Sequence, residues 1–387
     1  MINHSKRLAP LSTGIFNQLL QYKQEQLNLG VDIIDLSIGS PDLKPPTFVT
    51  NTLSTSALNT DLYGYAINST LEFKEAVTHY YNRKFNVTLK EEEVLQLMGS
   101  QDGLAHLALA YLDPGDIVIV PDPGYPIYSA SVHVAGGKLY HMPLIEEADY
   151  LPSLEQIPEE VCKKAKMLII SYPGNPIPAV ASEDFFKSLI EFGKKHEILI
   201  IHDFAYCELL YDGRRPLSIL SIPESRDIAI EFNSLSKSFN IAGSRIGYLV
   251  GNANLLSPLA ILKSHFDYGV FLPIQIAATK ALNEGDQFLE DQRKTYEKRR
   301  NTFVESLSNE GWQVKIPAGG MFVWAKIPDG YTSFEFTLKA IENGVVVTPG
   351  DAFGPHGEGY IRIALVESDE QLRKAAKRLS SIYSEKP

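Results

Sequence analysis

The sequence has little cysteine and lacks apolar runs long enough to cross a membrane. Cys162 and Cys207 are the only two cysteines in 387 residues, and they form no CxxC pair or metal-ligand spacing. This disfavours a disulfide framework or zinc site and favours two free thiols in a reducing cytoplasm. The longest apolar runs, KMLII and ILII, are far shorter than the roughly 20 residues that span a bilayer. We also expect no signal peptide, because the first segment has no uninterrupted apolar core.

Positive charge is also in short supply. The chain carries 36 lysines and arginines against 47 aspartates and glutamates, a net charge of -11. Most of such a surface repels nucleic acids and anionic membranes, so we expect neither as a partner. Repeats, low-complexity tracts and Gly/Ser linkers are absent from the sequence. The length suits two domains, or one large α/β domain with an appendage.

The middle of the chain alternates short β-branched runs with amphipathic segments. Strands are predicted at 116–120, 167–171, 199–202, 228–232 and 246–250. A helix is predicted at 183–196, where apolar residues fall at helical spacing. Nearly continuous apolar strands separated by helices indicate an α/β fold with a parallel sheet buried on both faces. Ligands bind at the carboxyl ends of such strands, where DPGYP, YPGNP and HDFAY lie.

The pattern changes from about residue 283. A long charged helix is predicted at 286–308 and an amphipathic helix at 369–383. Between them, WQVKIPAGGMFVWAKIP and VVVTPGDAFGPHGEGYIRIAL alternate like antiparallel strands. We therefore predict a large α/β domain over 46–282 and a smaller α+β domain formed by 1–45 and 283–387.

Lys237 lies in the segment NSLSKSFNIAGSRIGY. A lysine alone is usually a solvated surface charge. Here Ser234, Ser236 and Arg245 add two hydroxyls and a guanidinium, which suit a phosphate dianion. An amine beside a phosphate site is what an enzyme needs to hold pyridoxal phosphate as a Schiff base.

SLSKSFNIAGSRIGY resembles the active-site segment of class I/II aminotransferases, the fold-type-I pyridoxal-phosphate enzymes. Further motifs agree in order from LSIGSPD to YIRIAL, nearly the whole chain. The resemblance implies a large domain with a mostly parallel sheet and a smaller α+β domain. It implies that Lys237 holds the cofactor, that an amino group moves from an L-amino acid to a 2-oxo acid, and that a homodimer shares its active sites. The aspartate, aromatic, LL-diaminopimelate and N-acetyl-LL-diaminopimelate aminotransferases are the most similar group.

Asp203, in HDFAYCELLYDG, ends a buried strand. Alone it could cap a helix or form a structural ion pair, since a buried carboxylate must be paired. The resemblance instead assigns it to the protonated pyridine nitrogen. Tyr206 matches the tyrosine that binds the phenolic oxygen of the cofactor, although it could be a core residue. Asn175, in YPGNP, matches a second ligand of that oxygen, although Gly-Asn-Pro forms a turn in any protein.

The segment GSQDGL leads into an apolar helix, and a helix N-terminus binds anions. An ordinary capped helix has the same pattern. By resemblance, Ser100 and Gln101 bind the cofactor phosphate, and Tyr125 in PDPGYPIY stacks on the pyridine ring.

Arg362, in YIRIAL, alternates with apolar residues on a predicted strand, where it needs an anion. An internal salt bridge would satisfy it. The resemblance assigns it to the substrate α-carboxylate, and assigns to the same binding site Asn175 and the backbone of Gly39 in LSIGSPD. Specificity residues are expected in loops and near Ile15 and Phe16.

LYGYAINSTLEF matches a segment whose tyrosine reaches the phosphate of the neighbouring subunit. Tyr63 and Tyr65 compete for this role, and we assign it to Tyr65. The family usually has a glycine shortly before the leucine, where this chain has Asn68, Ser69 and Thr70.

Two alternatives share the predicted site. The same scaffold performs other pyridoxal-phosphate reactions, such as β-elimination by C–S lyases, with the same lysine, aspartate and arginines. A non-catalytic pyridoxal-phosphate-binding regulator would need a DNA-binding segment, and nothing of helix-turn-helix size precedes LSTGIFNQLL.

Overall fold

The computed structural model describes residues 5–11 and 14–384, with the side chains of 14–16 left out. Ile15 and Phe16, near which we expect specificity residues, therefore lie outside the described side chains. None of the described helices is both long enough and apolar enough to cross a membrane. The helices of the described chain are α1 (Gly14–Asn28), α2 (Thr47–Ala57), α3 (Leu71–Phe85), α4 (Ser100–Tyr111), α5 (Pro126–Ala135), α6 (Glu159–Cys162), α7 (Glu183–His196), α8 (Leu235–Ser238), α9 (Ala253–Phe266), α10 (Leu272–Glu284), α11 (Asp286–Asn309), α12 (Ser333–Glu342) and α13 (Asp369–Ser384).

The described strands form three sheets. The strands are β1 (Ile34–Asp35), β2 (Val94–Leu97), β3 (Ile117–Asp122), β4 (Lys138–Pro143), β5 (Ala165–Ile170), β6 (Leu199–Asp203), β7 (Ala229–Ser234), β8 (Gly247–Gly251), β9 (Phe322–Lys326), β10 (Val345–Val346), β11 (Thr348–Pro349) and β12 (Tyr360–Ala364). The largest sheet has seven strands in the order β2-β8-β7-β6-β5-β3-β4. A three-stranded sheet has the order β11-β12-β9, and β1 pairs with β10.

The seven-stranded sheet confirms the predicted α/β fold. Strands β4, β3, β5, β6 and β7 pair in parallel. Strand β8 pairs antiparallel with both β7 and β2, so the sheet is mostly, not wholly, parallel. The central strands are buried along their length, which explains their nearly continuous apolar sequences. All five predicted strands are present, and no end is displaced by more than two residues.

Helix α7 occupies the predicted range. Its N-cap residue, Ser182, accepts a hydrogen bond from the Phe185 amide at 3.2 Å. The residue that follows the helix, Glu197, adopts a left-handed conformation with φ 55°. An N-cap side chain and a left-handed C-terminal residue are common helix boundaries. The amphipathic pattern and these caps therefore specify the same helix.

The C-terminal predictions are also confirmed. Helices α11 and α13 cover the two predicted helical segments, and β9 pairs antiparallel with β12. Ile34 and Leu36 share a buried core with residues of these elements, so the N-terminal segment packs against the C-terminal part. The division into domains at 45/46 and 282/283 stays a prediction.

Candidate active site

A cavity of about 740 Å³ lies where the carboxyl ends of β6 and β7 face strand β12. Residues from distant parts of the sequence line it, including all but one of the predicted site residues. Those brought together are Gly39, Ser100, Gln101, Tyr125, Asn175, Asp203, Tyr206, Ser234, Ser236, Lys237, Arg245 and Arg362. Tyr65 does not line this cavity.

Lys237 lies in the short helix α8, directly after β7. Its Nζ donates to the carbonyl oxygen of Gly39 at 2.5 Å and forms no ion pair with any described carboxylate. Burial lowers the pKa of Lys237 to about 8, and the nearby Arg362 and Arg245 contribute in the same direction. A lysine in this state has a larger fraction of neutral amine near neutral pH than an ordinary lysine, and the neutral amine is the form that acts as a nucleophile.

Asp203 is the last residue of β6 and is 6% exposed. Its Oδ2 accepts a hydrogen bond from the Tyr128 hydroxyl at 2.7 Å. Burial raises the pKa of Asp203 above its ordinary value, although the Tyr128 hydrogen bond opposes the shift. No described cation forms an ion pair with this carboxylate. A cationic group placed in the cavity would therefore be stabilised by Asp203.

Arg362 is buried on β12 without a described carboxylate partner. Nη1 donates to Asn175 Oδ1 at 2.8 Å, and Nη2 donates to the Ser37 carbonyl and the Thr348 hydroxyl. All three acceptors are neutral, and Nε has no described partner. Burial lowers the pKa of Arg362 to about 10. A cation in this environment suits an external carboxylate.

The aromatic rings of Phe322 and Phe353 hold the Arg362 guanidinium in place. Its central carbon lies 4.4 Å from the Phe322 ring centroid and 4.8 Å from that of Phe353. These cation–π contacts fix the guanidinium without neutralising its charge.

Ser100, Ser234, Ser236 and Arg245 line the cavity, and we refer to these four residues as the anion site. Ser100 begins α4, and Arg245 donates only to the Ala242 carbonyl in the described structure, at 3.0 Å. Helix N-terminal amides, hydroxyls and a guanidinium without a carboxylate partner are groups that suit a phosphate dianion.

Two glycines let the backbone approach the anion site closely. A side chain at Gly99 would lie 2.8 Å from Arg245 Nη2, and Gly99 also has φ +80°. A side chain at Gly247 would lie 2.9 Å from the Ser100 amide nitrogen. Both positions therefore require glycine.

Tyr125 and Gln101 contact each other on one cavity wall. The Tyr125 hydroxyl donates to Gln101 Oε1 at 3.0 Å, and the Tyr125 ring meets the Tyr128 ring edge to face. The Tyr206 ring centroid lies 6.0 Å from Lys237 Nζ. The Tyr206 ring and the Lys237 amine are therefore close enough to contact the same bound ligand.

Tyr63 and Tyr65 lie on the exposed surface. Tyr65 is 82% exposed, and its ring contacts Tyr268. Tyr63 packs edge to face on Phe271, and its hydroxyl donates to the Ala57 carbonyl at 2.9 Å. The predicted role of Tyr65 at a neighbouring subunit stays a prediction.

Three residues that hold the predicted groups in place are not among those predicted from the sequence, namely Tyr128, Phe322 and Phe353. Tyr128 lies three positions after Tyr125 on α5, a spacing that brings side chains to neighbouring places on a helix. Phe322 lies opposite Ala364 in the antiparallel pair of β9 and β12. That pairing depends on the register of two distant strands, which the sequence does not reveal.

Comparisons with known proteins agree with this geometry. The model of the family "Aminotransferase class I and II" matches residues 31–379. The LL-diaminopimelate aminotransferase of Oleidesulfovibrio alaskensis is 42% identical over 380 residues, which are 97% of this chain and 98% of the relative. That of Moorella thermoacetica is 40% identical over 384 residues, 98% of each chain.

Solved structures are similar over the same length. Substrate-bound BacF from Bacillus subtilis has a TM-score of 0.94 at 35% identity, covering 99% of this chain and 98% of that one. A probable N-succinyldiaminopimelate aminotransferase from Thermus thermophilus has a TM-score of 0.92 at 35% identity, covering 95% and 100%.

These relatives confirm the predicted fold and the predicted transfer of an amino group between small-molecule amino-acid and 2-oxo-acid substrates. Enzymes of this family generally depend on pyridoxal phosphate. The chain belongs to the class I and II aminotransferase family.

Proposed function

We propose that the chain binds pyridoxal phosphate through Lys237 and transfers an amino group between LL-diaminopimelate and a 2-oxo acid. One observation carries the cofactor proposal. The cavity holds an amine, two guanidinium groups and a buried carboxylate, and none of them has an ion-pair partner among the described residues. Leaving so many charged groups without partners costs stability unless a ligand supplies the partners.

The cavity residues fit each part of the cofactor. The anion site, with Gln101 beside it, matches the phosphate. Asp203 matches the protonated pyridine nitrogen, because a cation there would offset the cost of burying the carboxylate. Tyr125 is assigned to stack on the ring, and Tyr206 and Asn175 are assigned to the phenolic oxygen. When bound, pyridoxal phosphate supplies an electron sink for charge that develops on the substrate α-carbon.

Lys237 and Arg362 perform the proposed work on the substrate. The Arg362 guanidinium binds the substrate α-carboxylate and so fixes the α-carbon near Lys237, with Gly39 and Asn175 beside it. With pyridoxal phosphate bound, Lys237 Nζ would accept the proton of the substrate α-carbon and later return it. A pKa of about 8 lets one amine both accept and return that proton near neutral pH.

A homodimer with shared active sites is part of the proposal. Large apolar side chains are exposed together around Tyr65, namely Leu58, Tyr63, Ile67, Tyr268 and Phe271. Contiguous exposed apolar groups of this kind are typical of an interaction surface. Because the Tyr63 hydroxyl is engaged within its own chain, Tyr65 is the better candidate to reach a neighbouring subunit.

The substrate proposal rests on the relatives named LL-diaminopimelate aminotransferase, which match almost the whole chain. The N-acetylated form, aspartate and aromatic amino acids are the alternative donors. A cytoplasmic location is proposed from Cys162 and Cys207, which are both buried free thiols.

A panel of amino donors with 2-oxoglutarate tests the proposal. We expect LL-diaminopimelate to give the highest kcat/KM and to change the cofactor absorbance without added 2-oxo acid. Turnover of only aspartate or an aromatic donor would contradict the substrate assignment. Release of pyruvate and a thiol from a cysteine conjugate, without amino transfer, would instead indicate a C–S lyase.

A further inference from the structure

Lys23 and Asp35 form a charged pair that also lines the cavity. Lys23 lies on α1 and Asp35 on β1, and their Nζ and Oδ2 atoms are 2.6 Å apart. Their side chains are 26% and 19% exposed, so both are partly shielded but accessible from the cavity. Neither residue has a place in the proposed chemistry at the cofactor.

Asp35 connects to the α-carboxylate site through the backbone of one short segment. Over residues 34–37 the side chains alternate, because Ile34 and Leu36 point into the core whereas Asp35 and Ser37 line the cavity, as do the next residues, 38 and 39. This alternation follows from the extended backbone. The Ser37 amide and hydroxyl donate to Asp35 Oδ1 at 2.9 and 2.6 Å.

The carbonyl groups of the same segment contact the reactive end of the cavity. The Ser37 carbonyl accepts from Arg362, and the Gly39 carbonyl accepts from Lys237. The segment therefore runs from the amine, past the carboxylate clamp, to the Lys23–Asp35 pair.

The spacing along this segment matches the length of the proposed substrate. Ser37 and Asp35 are two residues apart, about 6.5 Å in extended chain. The two amino-bearing carbons of diaminopimelate are separated by four carbon–carbon bonds, about 5 Å when extended with bonds of ordinary length. A substrate held by Arg362 is therefore long enough for its far end to extend along this segment towards Asp35 and Lys23.

We propose that the Lys23–Asp35 pair recognises the far amino-acid group of the substrate, with Lys23 binding its carboxylate and Asp35 its ammonium. This inference rests on the proposed function. Without substrate the two side chains neutralise each other, and with substrate each exchanges one ion pair for another. Lys23 and Asp35 each keep one ion-pair partner with and without substrate. A far end that carries two charges is therefore bound without leaving a partly buried charge unpaired.

Neighbouring groups support this assignment. Leu19, Leu20 and Val346 line the same part of the cavity and offer no competing charge. Although burial opposes it, hydrogen bonds from Lys23 and Ser37 hold the pKa of Asp35 below its ordinary value, so the carboxylate stays charged at neutral pH.

Four donors with the same carbon backbone up to C6 separate the two contacts. LL-diaminopimelate carries both far charges, and L-lysine lacks only the far carboxylate. L-2-aminopimelate lacks only the far ammonium, and L-norleucine lacks both. The kcat/KM for each donor is measured with wild-type, Lys23→Met and Asp35→Asn holoenzymes. Asparagine still accepts the hydrogen bonds from Ser37, so this variant removes mainly the charge.

We expect opposite donor patterns for the two variants. In Lys23→Met, the kcat/KM ratio of 2-aminopimelate to norleucine falls about tenfold to hundredfold, the usual effect of one charged hydrogen bond. In Asp35→Asn, the ratio of lysine to norleucine falls by a similar factor. Calorimetric titration of Lys237→Ala holoenzyme with the same donors is expected to give the same ratios in Kd, without turnover.

Lys374→Met is the matched control. Lys374 pairs with Asp32 at 2.5 Å beside the same segment, but neither residue lines the cavity. Its donor ratios should equal those of the wild type. If Lys23→Met and Asp35→Asn slow all four donors equally, or slow none, the pair is structural and the inference is wrong while the proposed function stands. If wild-type enzyme rejects diaminopimelate but uses another donor, the proposed substrate and this inference both fail.

Discussion

Two lysines, Lys237 and Lys263, differ in what surrounds the ammonium group. Lys263, on α9, is 7% exposed and pairs with Asp102 at 2.5 Å and Asp267 at 2.7 Å. Lys237 lies in the cavity and donates only to a carbonyl oxygen among the described groups. Burial lowers the pKa of Lys237 to about 8. Two carboxylates of the chain therefore neutralise Lys263, whereas Lys237 is left reactive.

The same contrast separates two arginines. Arg300 donates from Nη1 and Nη2 to Asp212 at 2.8 and 2.7 Å, and its Nε also has an acceptor. Arg362 contacts only neutral oxygens, and its Nε has no described partner. Removing a buried cation that is paired within the chain destabilises the fold, whereas a buried cation without an ion-pair partner is a candidate ligand site.

The largest expected effect concerns the two lysines. Lys237→Met should lower kcat on the order of ten-thousand-fold, the upper end of what positioned acid–base groups contribute. Lys263→Met should instead destabilise the fold by about 3 kcal/mol, because Asp102 and Asp267 lose a buried partner. Steady-state rates and urea unfolding of the apo proteins measure both. An equal loss of unfolding free energy in the two variants would contradict the distinction between a catalytic Lys237 and a structural Lys263.

The next effect concerns the arginines. Arg362→Met should lower kcat/KM on the order of a thousandfold, since two charged hydrogen bonds of about 2 kcal/mol each are lost. Arg300→Met should cost about 2 kcal/mol of unfolding free energy, because its hydrogen bonds to Asp212 are lost. Kinetics and chemical unfolding distinguish the outcomes. Normal kcat/KM in the Arg362 variant would rule out its role as the carboxylate clamp.

Asp203→Asn should lower kcat about a hundredfold, within the usual range for a positioned ionisable group. Tyr128→Phe provides a graded comparison, because it removes one hydrogen bond and keeps the carboxylate. This variant should raise the pKa of Asp203 further and slow turnover about tenfold at most. The pH profile of kcat for the two variants checks this order, and an equal loss in both would contradict it.

A smaller effect is expected from pH. Covalent attachment of pyridoxal phosphate to the apo chain needs the neutral amine of Lys237, whose pKa of about 8 lies below that of an ordinary lysine. The attachment rate should rise about tenfold per pH unit below pH 8 and level off above it. Stopped-flow absorbance gives this profile. A rate that still rises steeply above pH 9 would indicate an amine with an ordinary pKa.

Much of the fold and site follows from the sequence. The central strands are predictable because burial on both faces leaves a continuous apolar signature, as in β6. Lys237, Asp203 and Arg362 are predictable because each lies in a local motif with a recognisable order.

The residues that hold these groups are less visible. Phe322 contacts Arg362 only after β9 and β12, which are distant in the sequence, pair in a particular register, and Phe353 reaches Arg362 from the 3-10 helix Gly350–Phe353. Lys23 and Asp35 have no motif of their own, and an ion pair between a helix and a strand carries no periodic signal. The aromatic contacts of Arg362 and the Lys23–Asp35 ion pair both depend on tertiary geometry, which short sequence segments do not reveal.

Borohydride reduction of the holoenzyme, followed by peptide mass spectrometry, tests the central claim most directly. The claim is that Lys237, left without an ion-pair partner in the cavity, is the lysine that binds the cofactor. We predict a pyridoxyl group on the peptide containing Lys237 and its loss in Lys237→Met. A pyridoxyl group on Lys263, Lys23 or another lysine, with the Lys237 peptide unmodified, would contradict the account.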